Sequence, residues 1–145
     1  MATVHDVAAY ILSKTGTITT MKLQKLVYYS QAWSLVWDDR PLFGETIQAW
    51  VNGPVVRELY DAHRGAFDVS AWPQGDASKL DATARDTVDA VLSFYGQHSG
   101  QYLSDLTHME QPWKEARKGL GPTDRSEATI TPAMMNEYYG SLPPL

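Results

Sequence analysis

The sequence predicts a mainly α-helical fold, a compact single-domain bundle around one central apolar helix, with a very short β element near residues 46–51 and 129–130. Three observations carry this. Met21 to Trp33 is apolar on nearly every side at helical spacing, with Leu23, Leu26, Val27, Ser30 and Trp33 on one broad face and Tyr28, Ala32 and Leu35 opposite. A helix of that kind belongs in the middle of a domain, surrounded by others. Second, capping residues recur ahead of amphipathic runs. Third, 145 residues is an ordinary size for one domain, and it buries enough surface to need no disulfide or metal staple.

The elements follow in order. Thr3-Val4-His5-Asp6 has the form of a capping box and opens a first helix. Val4, Val7, Ala8, Ile11 and Leu12 give it one apolar stripe, and Gly16 is its expected stop. Thr19 and Thr20 offer N-caps for the central helix, which runs to about Trp37 before Asp38-Asp39-Arg40-Pro41 breaks it. Gln24 and Gln31 share a narrow polar stripe on that helix. If buried, their amides need partners, because an unpaired buried amide costs about 1–3 kcal/mol. Lys22 and Lys25, near the helix N-terminus, are expected to reach solvent.

Thr46 to Val51 alternates weakly and is the best strand candidate. Asn52-Gly53-Pro54 turns the chain. Pro54 then suits the first position of a helix, with Val55, Val56, Leu59, Tyr60 and His63 inward and Arg57, Glu58, Asp61 and Arg64 outward. Residues 66–77 read as a loop. Ser78-Lys79-Leu80-Asp81 resembles a second capping box, and its helix carries Leu80, Ala84, Val88, Val91, Leu92 and Tyr95 up to Gly96. Tyr102, Leu103, Leu106 and Met109 suggest a short helix, and Pro112 to Arg117 another, ended by Gly119-Leu120-Gly121-Pro122. Thr131-Pro132 caps a last helix running to Gly140, and Thr129-Ile130 can pair with the strand near Ile47.

Composition narrows the function classes. There are 12 basic and 17 acidic side chains, for a net charge of -5. Nonspecific nucleic-acid binding rests on neutralising phosphates, so an acidic chain argues against it. With no cysteine, thiolate metal sites and thiol nucleophiles are excluded. The N-terminus lacks the pattern of a signal peptide, and no apolar run reaches the roughly 18 residues of a membrane span, so the expectation is a cytoplasmic protein. His5, His63, His98 and His108 show no metal-ligand spacing, and no Gly-x-Ser-x-Gly elbow or phosphate loop occurs. Ser104, Asp105 and His108 could be drawn as a triad, but their helical spacing does not converge. Ser104 and Asp105 are therefore expected to be exposed and His108 to be a hydrogen-bonded packing residue. Lys114, Arg117 and Lys118, with Arg125 nearby, form a small cationic face. No catalytic residue, cofactor or metal is expected. The five Trp and eight Tyr exceed what is needed for chemistry and suit both a core and a contact surface.

Three blocks resemble the Panacea domain family, which includes SocA-type antitoxins and phage-associated proteins. They are Met-Lys-Leu-Gln-Lys-Leu-Val-Tyr-Tyr-Ser-Gln-Ala-Trp at 21–33, Ala-Trp-Val-Asn-Gly-Pro-Val-Val-Arg-Glu-Leu-Tyr at 49–60, and Leu-Ser-Asp-Leu-Thr-His-Met-Glu-Gln-Pro-Trp-Lys-Glu-Ala-Arg at 103–117. The resemblance implies a helical antitoxin that neutralises a cognate toxin by protein contact. Some toxins met by the family are relatives of alarmone synthetases. The SocA-type member instead acts as an adaptor that delivers its toxin to a protease, a role for which the tail Ser141 to Leu145 would be the candidate second site. A hydrolase that reverses the toxin's chemistry is the third reading. No catalytic residues are attributed to the family. The expected partner-binding residues are Tyr29, Trp50, Asn52, Arg57 and Trp113, on helix ends around the Asn52-Gly53-Pro54 turn.

Overall fold

Thr3 begins the chain's first helix as expected, donating its N–H to Asp6 while its hydroxyl accepts from the Asp6 N–H. The computed structural model describes residues 2–145. Helix α1 (Val4–Thr15) ends at Gly16, whose φ of 70° suits glycine. A two-residue strand, β1 (Ile18–Thr19), leads into the central helix α2 (Thr20–Trp37), capped by the Thr19 hydroxyl. Residues 23–34 of α2 are all buried. Around it pack α1, α4 (Ala82–Tyr95), α5 (Gly100–His108) and α7 (Pro132–Gly140). The fold is mainly α, with seven helices and two small sheets among the described residues. No described helix is long and apolar enough to cross a membrane.

Between α2 and α4 the chain forms β2 (Ile47–Trp50), β3 (Gly53–Val56), α3 (Arg57–His63) and β4 (Asp68–Val69). After α5 come α6 (Gln111–Ala116) and β5 (Thr129–Ile130). Strands β3, β2 and β5 make an antiparallel sheet, with Ile47 opposite both Val56 and Ile130. The expected pairing of Thr129-Ile130 with the strand near Ile47 is present in that register.

Pro54 does not start a helix. Pro54, Val55 and Val56 are strand residues, and α3 begins at Arg57. Two β-branched residues after proline favour an extended chain, and proline is tolerated in an edge strand. The segment 66–77 is also less irregular than expected, since β4 pairs with β1. Ser78 is not the cap of α4. It is tied to Asp76 in a short 3-10 turn, and Asp81 caps the helix by accepting from the Ala84 N–H at 2.9 Å.

The two glutamines of α2 are buried and fully used. Gln31 accepts from the Leu42 and Phe43 N–H groups and donates to the Phe43 carbonyl. Gln24 accepts from the Val56 N–H at 2.9 Å, donates to the Val56 carbonyl at 3.3 Å and meets His63 Nε2 at 3.0 Å. An α-helix thus completes the hydrogen bonding of the outer edge of β3, which would otherwise be buried with unpaired backbone groups.

Farther along α2 lies a polar knot inside an aromatic core. Tyr29 and Tyr139 both donate to Glu110 Oε1, at 2.7 and 2.8 Å. The Tyr28 and Tyr139 hydroxyls are 3.0 Å apart, and Trp33 Nε1 donates to the Tyr95 hydroxyl. Burial pushes the Glu110 carboxyl above its ordinary range, against the pull of its two tyrosine donors. Each buried polar group in the knot finds a partner, which makes such a network specifying rather than costly.

Candidate partner-binding face

The hairpin joining β2 to β3 is held by its own carbonyls. Four side chains from α5, α6 and the residue after it take successive backbone oxygens. Arg117 Nη1 donates to the Ala49 carbonyl at 3.1 Å, and Trp113 Nε1 to Trp50 at 2.7 Å. His108 Nε2 lies 2.8 Å from the Val51 carbonyl, and the Ser104 hydroxyl donates to Asn52. From the other side, Lys25 Nζ donates to the Pro54 carbonyl at 3.0 Å. A turn would normally give these oxygens to water. Here they are fixed by five side chains from α2, α5 and α6 with its C-cap residue.

The spacing explains the arrangement. Ser104 and His108 are four residues apart on α5, and Trp113 and Arg117 are four apart across α6, so each pair points one way. The His108 and Trp113 rings pack at 4.0 Å, and the Arg117 guanidinium lies 5.0 Å from the Trp113 ring centre. Arg117 also donates to the Gly121 and Asp124 carbonyls. Gly53 closes the turn at φ 119°, and a Cβ there would stand 2.7 Å from Lys25 Cε and 2.9 Å from Thr107 Oγ1. Only glycine fits both the dihedral and the space.

Several expectations change. Lys25 does not reach solvent: it is 2% exposed beneath the turn, and burial lowers its pKa to about 7. The helix it sits on is covered on that side by β3, which a count of apolar residues could not reveal. Lys22 is half-buried and donates to the Gly96 carbonyl at the C-terminal end of α4, where a cation is favoured. Ser104 is buried, not exposed, because its hydroxyl is spent on the turn. Arg117 is 5% exposed and leaves the cationic face of Lys114 and Lys118. His108 is a hydrogen-bonded packing residue, as expected.

The five expected contact residues separate into two groups. Tyr29 is 0% exposed, stacked on Tyr95 with ring centres 4.0 Å apart, so no partner reaches it. Trp113 is buried with its N–H committed to Trp50. Both are interior because their polar ends have internal partners. Trp50, Asn52 and Arg57 stand together at the surface. The Trp50 indole is half-buried, meets Tyr60 edge-on at 4.8 Å and lies under the Arg57 guanidinium at 5.9 Å. Asn52 is exposed, and its side-chain amide has no partner among the described residues. Arg57 is 47% exposed and paired with Asp61 and Glu127.

These three residues border a cleft of about 560 Å³, also lined by Lys25, Tyr60, His63, Arg64 and Arg125. Burial and the nearby Lys25 charge both lower the His63 pKa. Sequence reasoning missed this cleft, whose walls come from stretches far apart in the chain. Arg64 and Arg125 belong to it through folding alone.

No curated protein and no solved structure matches the chain. The family model described as antitoxin SocA-like, Panacea domain, matches residues 23–114. That span is more than half of the chain. It contains Lys25, the whole hairpin, Ser104, His108 and Trp113, the residues that build and hold the turn; Arg117 and α7 lie beyond it. The chain therefore belongs to the SocA-like antitoxin family, with a Panacea domain.

Proposed function

We propose that this protein is the antitoxin of a toxin–antitoxin pair and neutralises its toxin by direct contact through the face formed by Trp50, Asn52 and Arg57. The observation that carries the reading is the fixed turn. Binding is tightest when the contact residues are held before the partner arrives, since no ordering cost is then incurred on association. Five side chains hold the turn's backbone while the Asn52 side chain is left without an internal partner. Tryptophan and arginine are the side chains most enriched where interfaces concentrate their energy, and here one lies over the other. Membership in an antitoxin family supports a toxin as the partner. In this reading the two proteins meet in the cytoplasm, with no membrane or nucleic acid taking part, and occupancy alone neutralises the toxin.

The test uses the product of the neighbouring open reading frame as the toxin. Trp50→Ala and Arg57→Glu each weaken binding by about tenfold or more, with helical circular dichroism and melting temperature unchanged. If both variants bind as the wild type does, or both lose their fold, these residues are scaffold and the face is wrongly assigned.

A further inference from the structure

The cleft beside the turn has a charge opposite to that of the protein. Four basic side chains line it, Lys25, Arg57, Arg64 and Arg125, against one carboxylate, Glu127. The chain as a whole carries -5. Arg57 is already paired with Glu127 at 3.3 Å and with Asp61 at 3.4 Å. Arg64 and Arg125 are exposed and form no ion pair among the described residues. An acidic molecule that gathers cations around one concavity directs anions there and repels them elsewhere.

Lys25 adds a second, independent observation. It lines the cleft, is almost fully buried and has no carboxylate partner. Its single hydrogen bond, to the Pro54 carbonyl, leaves two of the ammonium's three donors unused. Burial without a counter-charge is what brings its pKa down to about 7, and an anion in the cleft supplies the missing charge. The remaining walls are mostly apolar and aromatic, with Trp50 and Tyr60 in edge-to-face contact. A bare inorganic anion makes no use of them. The volume of about 560 Å³ falls within the roughly 300–1,000 Å³ typical of small-molecule sites.

We propose that this cleft binds a nucleoside phosphate, its phosphates between Arg64 and Arg125 and its base against Trp50 and Tyr60. An acidic peptide is the less suitable occupant. An extended peptide gains affinity by adding to a sheet edge, and the nearby edge of β3 is already taken at Val56 by Gln24. The site overlaps the proposed toxin-binding face at Trp50 and Arg57 but does not rest on that reading.

Isothermal titration calorimetry on the full chain tests this, with ATP, ADP, GTP and GDP as probes beside inorganic phosphate and an oligoglutamate peptide. At least one nucleotide binds, inorganic phosphate binds far more weakly, and the double variant Arg64→Ala/Arg125→Ala loses about tenfold or more in nucleotide affinity. Both arginines are exposed, so the variant keeps its melting temperature, and that is measured alongside. Four results overturn the proposal: no heat with any of the nucleotides, equal binding by the double variant, phosphate binding as tightly as nucleotide, or oligoglutamate displacing the nucleotide. A toxin-binding assay on the double variant separates the two readings. Nucleotide binding lost with toxin binding intact leaves the antitoxin face standing, and nucleotide binding present with no toxin contact at Trp50 removes that face alone.

Discussion

Gln24 joins the central helix to the strand that follows the Asn52-Gly53 turn, so replacing it tests the architecture and the proposed function together. Gln24→Leu keeps the size of the side chain and removes its carboxamide. The Val56 N–H and carbonyl then lose their partners at 2.9 and 3.3 Å, in a place where Gln24 is 3% exposed. Each buried backbone group left unpaired costs about 1–3 kcal/mol, so the two together cost about 2–6 kcal/mol. For a chain of this length that lowers the melting temperature by about 6–20 °C. His63 also loses its contact at 3.0 Å. Urea unfolding followed by circular dichroism measures the loss, and its slope stays that of the wild type, because the same surface is exposed. Gln31→Leu is the matched control. It removes three hydrogen bonds to Leu42 and Phe43 and touches no hairpin residue. Both variants lose stability, but only Gln24→Leu weakens toxin binding under conditions where each is folded. A loss below about 1 kcal/mol for Gln24→Leu would refute the argument, since it would mean that the helix does not complete the strand's hydrogen bonding.

Two further outcomes follow from the side chains beneath the turn. Unfolded, Lys25 keeps its proton up to its ordinary value of 10.5; folded, only up to about 7. Between these values the unfolded chain holds more protons, so this lysine's contribution makes stability rise with pH. Lys25→Met removes the effect, and its stability difference from the wild type shifts by about 2 kcal/mol between pH 7 and pH 9, as read by urea unfolding at both; a constant difference would mean that Lys25 is not desolvated. Arg117→Lys keeps the charge but not the planar fork that reaches the Ala49, Gly121 and Asp124 carbonyls. It costs about 2–3 kcal/mol in thermal denaturation, whereas an unchanged melting temperature would place Arg117 at the solvated surface.

Much of the framework was legible because it depends on local pattern. The apolar girth of α2, the Thr3, Thr19 and Thr131 caps and the Gly16 stop each rest on residues within a few positions of one another. The pairing of Ile130 with Ile47 was also legible, from two short β-branched runs. The polar stripe gave the requirement that Gln24 and Gln31 be satisfied, but not their partners, which lie 11 to 39 residues away. What stayed hidden was the direction of long polar side chains. Lys25, Ser104 and Arg117 look like solvated helix residues by spacing, and they are buried because a turn from elsewhere supplies carbonyls to bond. Pro54 misled for a related reason. It fits the first turn of a helix as well as an edge strand, and the sheet partner that decides between them is β2. Tyr29 and Trp113 suit a contact surface by their aromatic character, but their polar ends are committed to Glu110 and Trp50 inside. Exposed Asn52 and Arg57, with half-buried Trp50 beside them, are what the folded turn leaves outward.

The central claim is that neutralisation is occupancy of the toxin by a rigid face. Titrating this protein into a fixed amount of the toxin and following residual toxin activity tests it most directly. The account predicts a linear fall that reaches its floor at an equimolar amount. Complete rescue by a small fraction of an equivalent, continuing with time, would contradict it and show turnover.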